Sequence, residues 1–96
     1  MQKRTKTSQR KHDEGVLRST KWYKNHGFKT EADLPGWNKP KKIGGFIPDL
    51  IAKKGKKEVI LEYETENTNE LDKDQQKTFK KYCKKGKGKI FRKKII

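Results

Sequence analysis

Apolar residues are thinly spread along this chain, and their spacing changes period several times. From about Ser8 to Asn25, Val16, Thr20 and Tyr23 form a helical stripe, which predicts a first helix with Ser8 as N-cap and Gly27 as a left-handed C-terminal cap. Phe28–Leu34 alternates loosely and reads as a strand, and Pro35–Gly45, built of Pro, Gly, Lys and one Trp, reads as a loop. Phe46–Lys53 and Lys57–Thr65 follow as two further strands, joined by turn chemistry at Lys54-Gly55-Lys56-Lys57. The strongest helix signal runs from Asn69 to Lys85. Asn69 can cap it, Glu70, Asp72 and Asp74 sit at its start, and Lys80, Lys81, Lys84 and Lys85 at its end, so charge complements the helix dipole at both termini. Leu71, Gln75, Phe79, Tyr82 and Cys83 form its stripe, which makes Cys83 a small core residue, and Gly86 ends it. Lys89–Ile96 closes the chain as a strand, for an α-β-β-β-α-β order typical of α/β domains.

Strand arithmetic brings acids together. Side chains alternate along a strand, so Glu62 and Glu64 share a face with Ile60, while Val59, Leu61 and Tyr63 take the opposite, better core face. If Gly55-Lys56 is a two-residue type II′ loop, opposed residue numbers sum to 111, and Asp49 faces Glu62 while Ile47 faces Glu64. Directly opposed Cβ atoms lie about 4.5–5.5 Å apart, close enough for two carboxylates to hold one cation. Glu64 stands about 6.6 Å along the strand from Glu62. Like charges so placed are destabilising unless compensated, so the choice lies between a cation site and a slipped register with solvated glutamates.

Charge sharpens this picture. In 96 residues, 27 Lys plus Arg stand against 12 Asp plus Glu, a net charge of +15, and only 28% of residues are hydrophobic. So small a chain forms one domain with a thin core that a second subunit would help to complete, and a homodimer is expected. Residues 1–10 read as a basic flexible arm, into which the first helical turn extends, and 11–96 as a single domain. No apolar run approaches the length of a membrane span, and the single Cys83 excludes an intramolecular disulfide, which points to a reducing intracellular setting, cytoplasm or nucleoid. The charge predicts a polyanionic partner, by default nucleic acid, with a plain solubility device as the bland alternative. The acids are not scattered: eight of the twelve lie between Asp49 and Asp74 among five lysines, whereas residues 80–96 carry nine cations and no acid. An anionic island in a cationic chain suits a divalent cation that bridges carboxylates to phosphate, although Glu58, Glu66 and Asp72 are expected to pair with nearby lysines instead.

Ile47-Pro48-Asp49-Leu50-Ile51-Ala52, a short hairpin, and Val59-Ile60-Leu61-Glu62-Tyr63-Glu64 resemble the PD-(D/E)XK nuclease superfamily, most nearly its small archaeal Holliday-junction-resolvase-like branch. The element order is similar too, and the likeness covers roughly Lys11 to Phe91. It implies a restriction-endonuclease-like αβββαβ core, a small mixed sheet flanked by helices. It also implies a metal-dependent endonuclease acting on DNA, directed by branched or junction structure more than by sequence. Asp49 and Glu62 then bind Mg²⁺, with Mn²⁺ as a substitute, and the Tyr63 backbone carbonyl adds a ligand. Glu14 in the first helix completes the site, with Asp13 as its competitor. Gln75 matches glutamines that several branches aim at the active site, or is a satisfied polar residue at the stripe's edge. The family's lysine is replaced by Glu64, which either binds metal and accepts a proton from water or marks a dead nuclease; Lys77 or Lys57 are spatial substitutes that no spacing selects.

Backbone-binding candidates are Arg10, Lys11, Lys39, Lys41, Lys42 and Lys77, and Trp37 in the loop either stacks on an unpaired base or covers the core. His12 and His26 lack metal-ligand spacing, and neither is assigned a catalytic role. Two other classes compete: a non-enzymatic nucleic-acid binder, and an interaction subunit for an acidic partner. Dependence on metal separates the first of these from a nuclease.

Overall fold

A computed structural model describes residues 6–65 and 72–95. Its elements, in chain order, are α1 (Lys6–Asn25), β1 (Lys29–Ala32), β2 (Leu50–Lys54), β3 (Lys57–Glu64), α2 (Lys73–Lys84) and β4 (Lys89–Ile95). The expected αβββαβ order is therefore present, in a mixed α/β architecture. The strands form one sheet in the order β1-β2-β3-β4, antiparallel except for the parallel β3–β4 pair.

The β2–β3 hairpin has the expected register: Leu50 opposes Leu61, Ile51 opposes Ile60 and Lys54 opposes Lys57. Gly55 has φ +58°, and among the described residues no non-glycine residue has a positive φ, Lys56 included, which is the signature of the II′ turn. β2 is shorter than the expected Phe46–Lys53. Ile43 and Phe46 close their own tight turn through reciprocal backbone hydrogen bonds of 2.7 and 3.1 Å, and Pro48 has no amide to offer a ladder.

Both faces of the sheet are covered. On one, Val16 and Tyr23 of α1 pack with Leu50, Ala52, Val59, Leu61 and Tyr63. On the other, Phe79 and Cys83 of α2 pack with Ile43, Ile51 and Ile60. β3 is consequently buried along almost its whole length. Sharing a central strand between two layers is how so apolar-poor a chain builds a core: every β3 residue after Lys57 is buried.

The helix boundaries differ from expectation at their starts. α1 begins at Lys6, so Ser8 lies within its first turn and is not the N-cap, and residues 6–10, read as arm, are helical. Gly27 takes its left-handed cap with φ +84°. Asn69, Glu70 and Leu71 fall outside the described residues; α2 has Asp72 at its N-cap, with no side-chain capping bond. Its buried residues are Gln76, Phe79 and Cys83, and Gln75 stands half-buried beside them.

Gly15 shows how closely α1 sits on β3. A Cβ there would lie 2.6 Å from Cε2 of Tyr63, whose ring is held by a 2.6 Å hydrogen bond between its hydroxyl and Ser19 Oγ. Alanine would ordinarily stabilise a helix interior by about 0.5–1 kcal/mol over glycine. Here overpacking of about 1–3 kcal/mol outweighs that gain, so Gly15→Ala lowers the thermal midpoint. A melt in which the variant is more stable than the parent would refute this packing.

Candidate active site

β2 begins at Leu50, so β3 has no strand partner on that edge beyond Leu61. Backbone groups left there must find side chains, because a buried unpaired amide is costly. Asp49 and Glu62 meet this need reciprocally. The Asp49 amide donates to Glu62 Oε1 at 2.7 Å, and the Tyr63 amide donates to Asp49 Oδ2 at 2.9 Å. The pairing expected from the hairpin arithmetic is thus realised as a clamp at the open end of the sheet. N–H and C=O of one strand residue point to the same side, so the Tyr63 carbonyl faces this edge as well.

Each helix adds one group. From α2, Gln75 Nε2 donates to Glu62 Oε2 at 2.9 Å. From α1, the residue that arrives is His12, whose Nε2 lies 3.0 Å from Asp49 Oδ2 while Nδ1 lies 3.1 Å from Asp13 Oδ1. His12 thus bridges the two carboxyl groups, one through each ring nitrogen. Glu14, expected in this place, is exposed and lines a surface cavity with Arg10, Leu17 and Trp37. The reason is helical phase: His12 precedes Val16 and Thr20 by one and two steps of four on the buried stripe, whereas Glu14 is turned away from it. Extending the stripe back by one step of four would have found His12.

Glu62 is 2% exposed and Glu64 1%, while the Asp49 side chain keeps 14% of its surface. Burial, then the charges of Asp49, Glu64 and Asp72, push the Glu62 carboxyl up to about 9, against the hydrogen bond from the Asp49 amide. Glu58, on the same strand, goes the other way. Burial raises it too, but the Tyr82 hydroxyl at 2.7 Å and the amines of Lys41, Lys53 and Lys89 hold it below the ordinary glutamate range. Glu58 is therefore a compensated structural acid, as expected, and Glu62 lies in an acidic surplus.

Lys93 opposes Glu62 across the β3–β4 pair and donates to Gln76 Oε1 at 3.1 Å, so it is the amine the sheet places beside the acids. Lys57 sits at the other end of β3, and Lys77 is exposed on α2. Among the other cationic candidates, Arg10, Lys11, Lys39 and Lys42 are exposed. Lys41 is engaged, donating to the Tyr82 hydroxyl at 2.7 Å. Trp37 is half-buried against the α1-side core, with Lys24 Nζ 5.4 Å from its ring centroid.

Among the described residues no three His, Cys, Asp or Glu side chains form a ready metal cluster. Two carboxylates and a carbonyl nevertheless suit Mg²⁺, which keeps several waters and leans on substrate phosphate. No protein-family model matches the chain, and neither a curated protein nor a solved structure matches it. No helix among the described residues is long and apolar enough to cross a membrane.

The raised Glu62 carboxyl has a signed consequence for stability. Unfolded, it loses its proton near 4.5, and folded it keeps it to about 9. Between those values the folded chain binds more protons, so this group makes stability fall as pH rises, and the loss is complete above the folded value. In chelator, Glu62→Gln should unfold at the same urea concentration as the parent near pH 4 and at a progressively higher one toward about pH 8. Parallel curves would mean that the carboxyl titrates normally.

Proposed function

We propose that the chain is a metal-dependent endonuclease of the PD-(D/E)XK type, with a restriction-endonuclease-like core, that hydrolyses phosphodiesters in DNA. The carrying observation is the clamp: an aspartate after proline and a glutamate across a hairpin, joined through the backbone of the next residue, inside an acidic surplus. Asp49, Glu62 and the Tyr63 carbonyl would hold Mg²⁺, or Mn²⁺ in its place. Held there, it would supply an acidified water and positive charge for the phosphate.

The remaining steps belong to the chain. His12 orients Asp49 and Gln75 orients Glu62, so the carboxylates are preset by groups from both helices. Glu64 accepts the proton of the attacking water, and Lys93 supplies positive charge on the same face of the sheet as Glu62. Exposed lysines and arginines hold the phosphate backbone without reading sequence, which favours recognition of branched or junction structure. A homodimer would pair two such sites and place two cuts. The second reading is a nuclease fold that binds nucleic acid without cutting, favoured by the acid at position 64 where the family pattern has lysine.

Cleavage of labelled duplex, single-stranded, flap and four-way-junction DNA, in Mg²⁺, Mn²⁺ or chelator, separates the two. Cutting should need metal and vanish in Asp49→Ala and Glu62→Ala, and Mg²⁺ should raise the thermal midpoint of the parent but not of Asp49→Ala. His12→Ala should lose about 10–100-fold in kcat with little change in KM, as expected of a positioning residue. Binding to every substrate with no metal-dependent cutting would establish the non-enzymatic reading.

A further inference from the structure

The structure holds a second, cationic groove on the α1 face of the sheet. α1 lies over β1, β2 and β3 and leaves β4 uncovered on that side. The gap is a cavity of about 260 Å³. Leu61 and Tyr63 form its floor, Arg18 and Trp22 of α1 one wall, and Arg92 and Lys94 of β4 the other, and no acid lines it. The two β4 cations point there because they are the register partners of Leu61 and Tyr63.

Trp22 is the unusual member. It is 53% exposed in a chain that has few large apolar residues to bury, and its one stacked neighbour among the described residues is His26, one step of four along α1, at 3.8 Å between centroids and 20° between planes. Trp37, by contrast, is packed against the core. The loop tryptophan that the sequence suggested for stacking is thus occupied, and the helix tryptophan is available.

We infer that this groove binds an unpaired nucleotide of a nucleic-acid strand, with the base on Trp22 and the flanking phosphates on Arg18, Arg92 and Lys94. An aromatic platform beside cations is the pattern that single strands require, since every base has a stackable face and every linkage a charge. A second copy of the chain is the poorer occupant, because a two-fold contact would set these three cations against their own equivalents. Tyr63 joins the groove to the carboxylates: its ring is the floor, and its amide holds Asp49. Trp22 lies roughly 15 Å along α1 from His12 by helical rise. The inference stands on the groove alone, and its test runs in chelator, where the chemistry proposed for the acids plays no part.

The probe is a short oligothymidylate, compared with a duplex of equal length. In a Trp37→Phe background the only remaining indole is Trp22. Its fluorescence should be quenched by the oligothymidylate and little by the duplex. Trp22→Ala should weaken oligothymidylate binding about ten-fold and duplex binding less than about two-fold. Arg92→Ala/Lys94→Ala, exposed on the edge strand, should flatten the dependence of log K on log salt for the single strand by about 1.4, as two lost phosphate contacts require. Unchanged oligothymidylate affinity in Trp22→Ala, or silent fluorescence with binding intact, overturns the inference. So does loss of self-association in that variant with oligothymidylate affinity retained, which would make the face a contact between copies.

Discussion

The register of the β2–β3 hairpin is the constraint on which the rest depends. Strand side chains alternate with period two, so a slip of one residue would move Glu62 to the α1 side and send Leu61 toward α2. What prevents it is local. Gly55 supplies the positive φ of a two-residue turn, and the apolar pairs Leu50–Leu61 and Ile51–Ile60 each belong to a different helix layer. With that register in place, the end of β2 falls one residue short of Glu62, and the unpaired backbone there selects carboxylates as partners.

Of the three buried acids on β3, two have opposite electrostatic fates. Glu58 lies where a tyrosine hydroxyl and three amines converge, which is how a fold ordinarily accommodates a buried carboxylate. Glu62 has Asp49, Glu64 and Asp72 for neighbours and is raised accordingly. The sheet sets one amine, that of Lys93, opposite Glu62, against three amines within 4 Å of Glu58. An acidic surplus at one end of β3, in a protein so basic elsewhere, is hard to explain by stability alone and is the usual mark of a site with chemistry to perform.

Much of this was legible in the residues, and the failures have physical causes. Element order, the hairpin register, the Asp49–Glu62 pairing and Cys83 in the core follow from local rules of period and turn chemistry, whereas Gln75 beside Glu62 was implied only by the family resemblance. His12 has no histidine partner at metal-ligand spacing to mark it, and its place comes from helical phase with Val16 and Thr20. Trp37 and Trp22 exchanged places for a similar reason. Loop composition suggests exposure, but Trp37 packs against the sheet's α1-side core, and only the uncovered edge strand explains why Trp22 stays out. These are tertiary facts, set by which strand a helix fails to reach.

That uncovered strand also organises the charge. β4 is the sheet edge, the place where another chain would ordinarily add a strand. Its alternation sends Arg92 and Lys94 to the α1 face and Lys93 to the α2 face opposite Glu62. One short run of cations therefore blocks edge pairing with an identical chain through like-charge repulsion, lines the groove beside Trp22, and sets an amine next to the acids. A neutral edge of the same length would do none of these things and would expose a β template. The cationic bias of the C-terminal segment thus falls on an edge strand that the two helices do not fully cover, where like charge disfavours pairing with an identical strand.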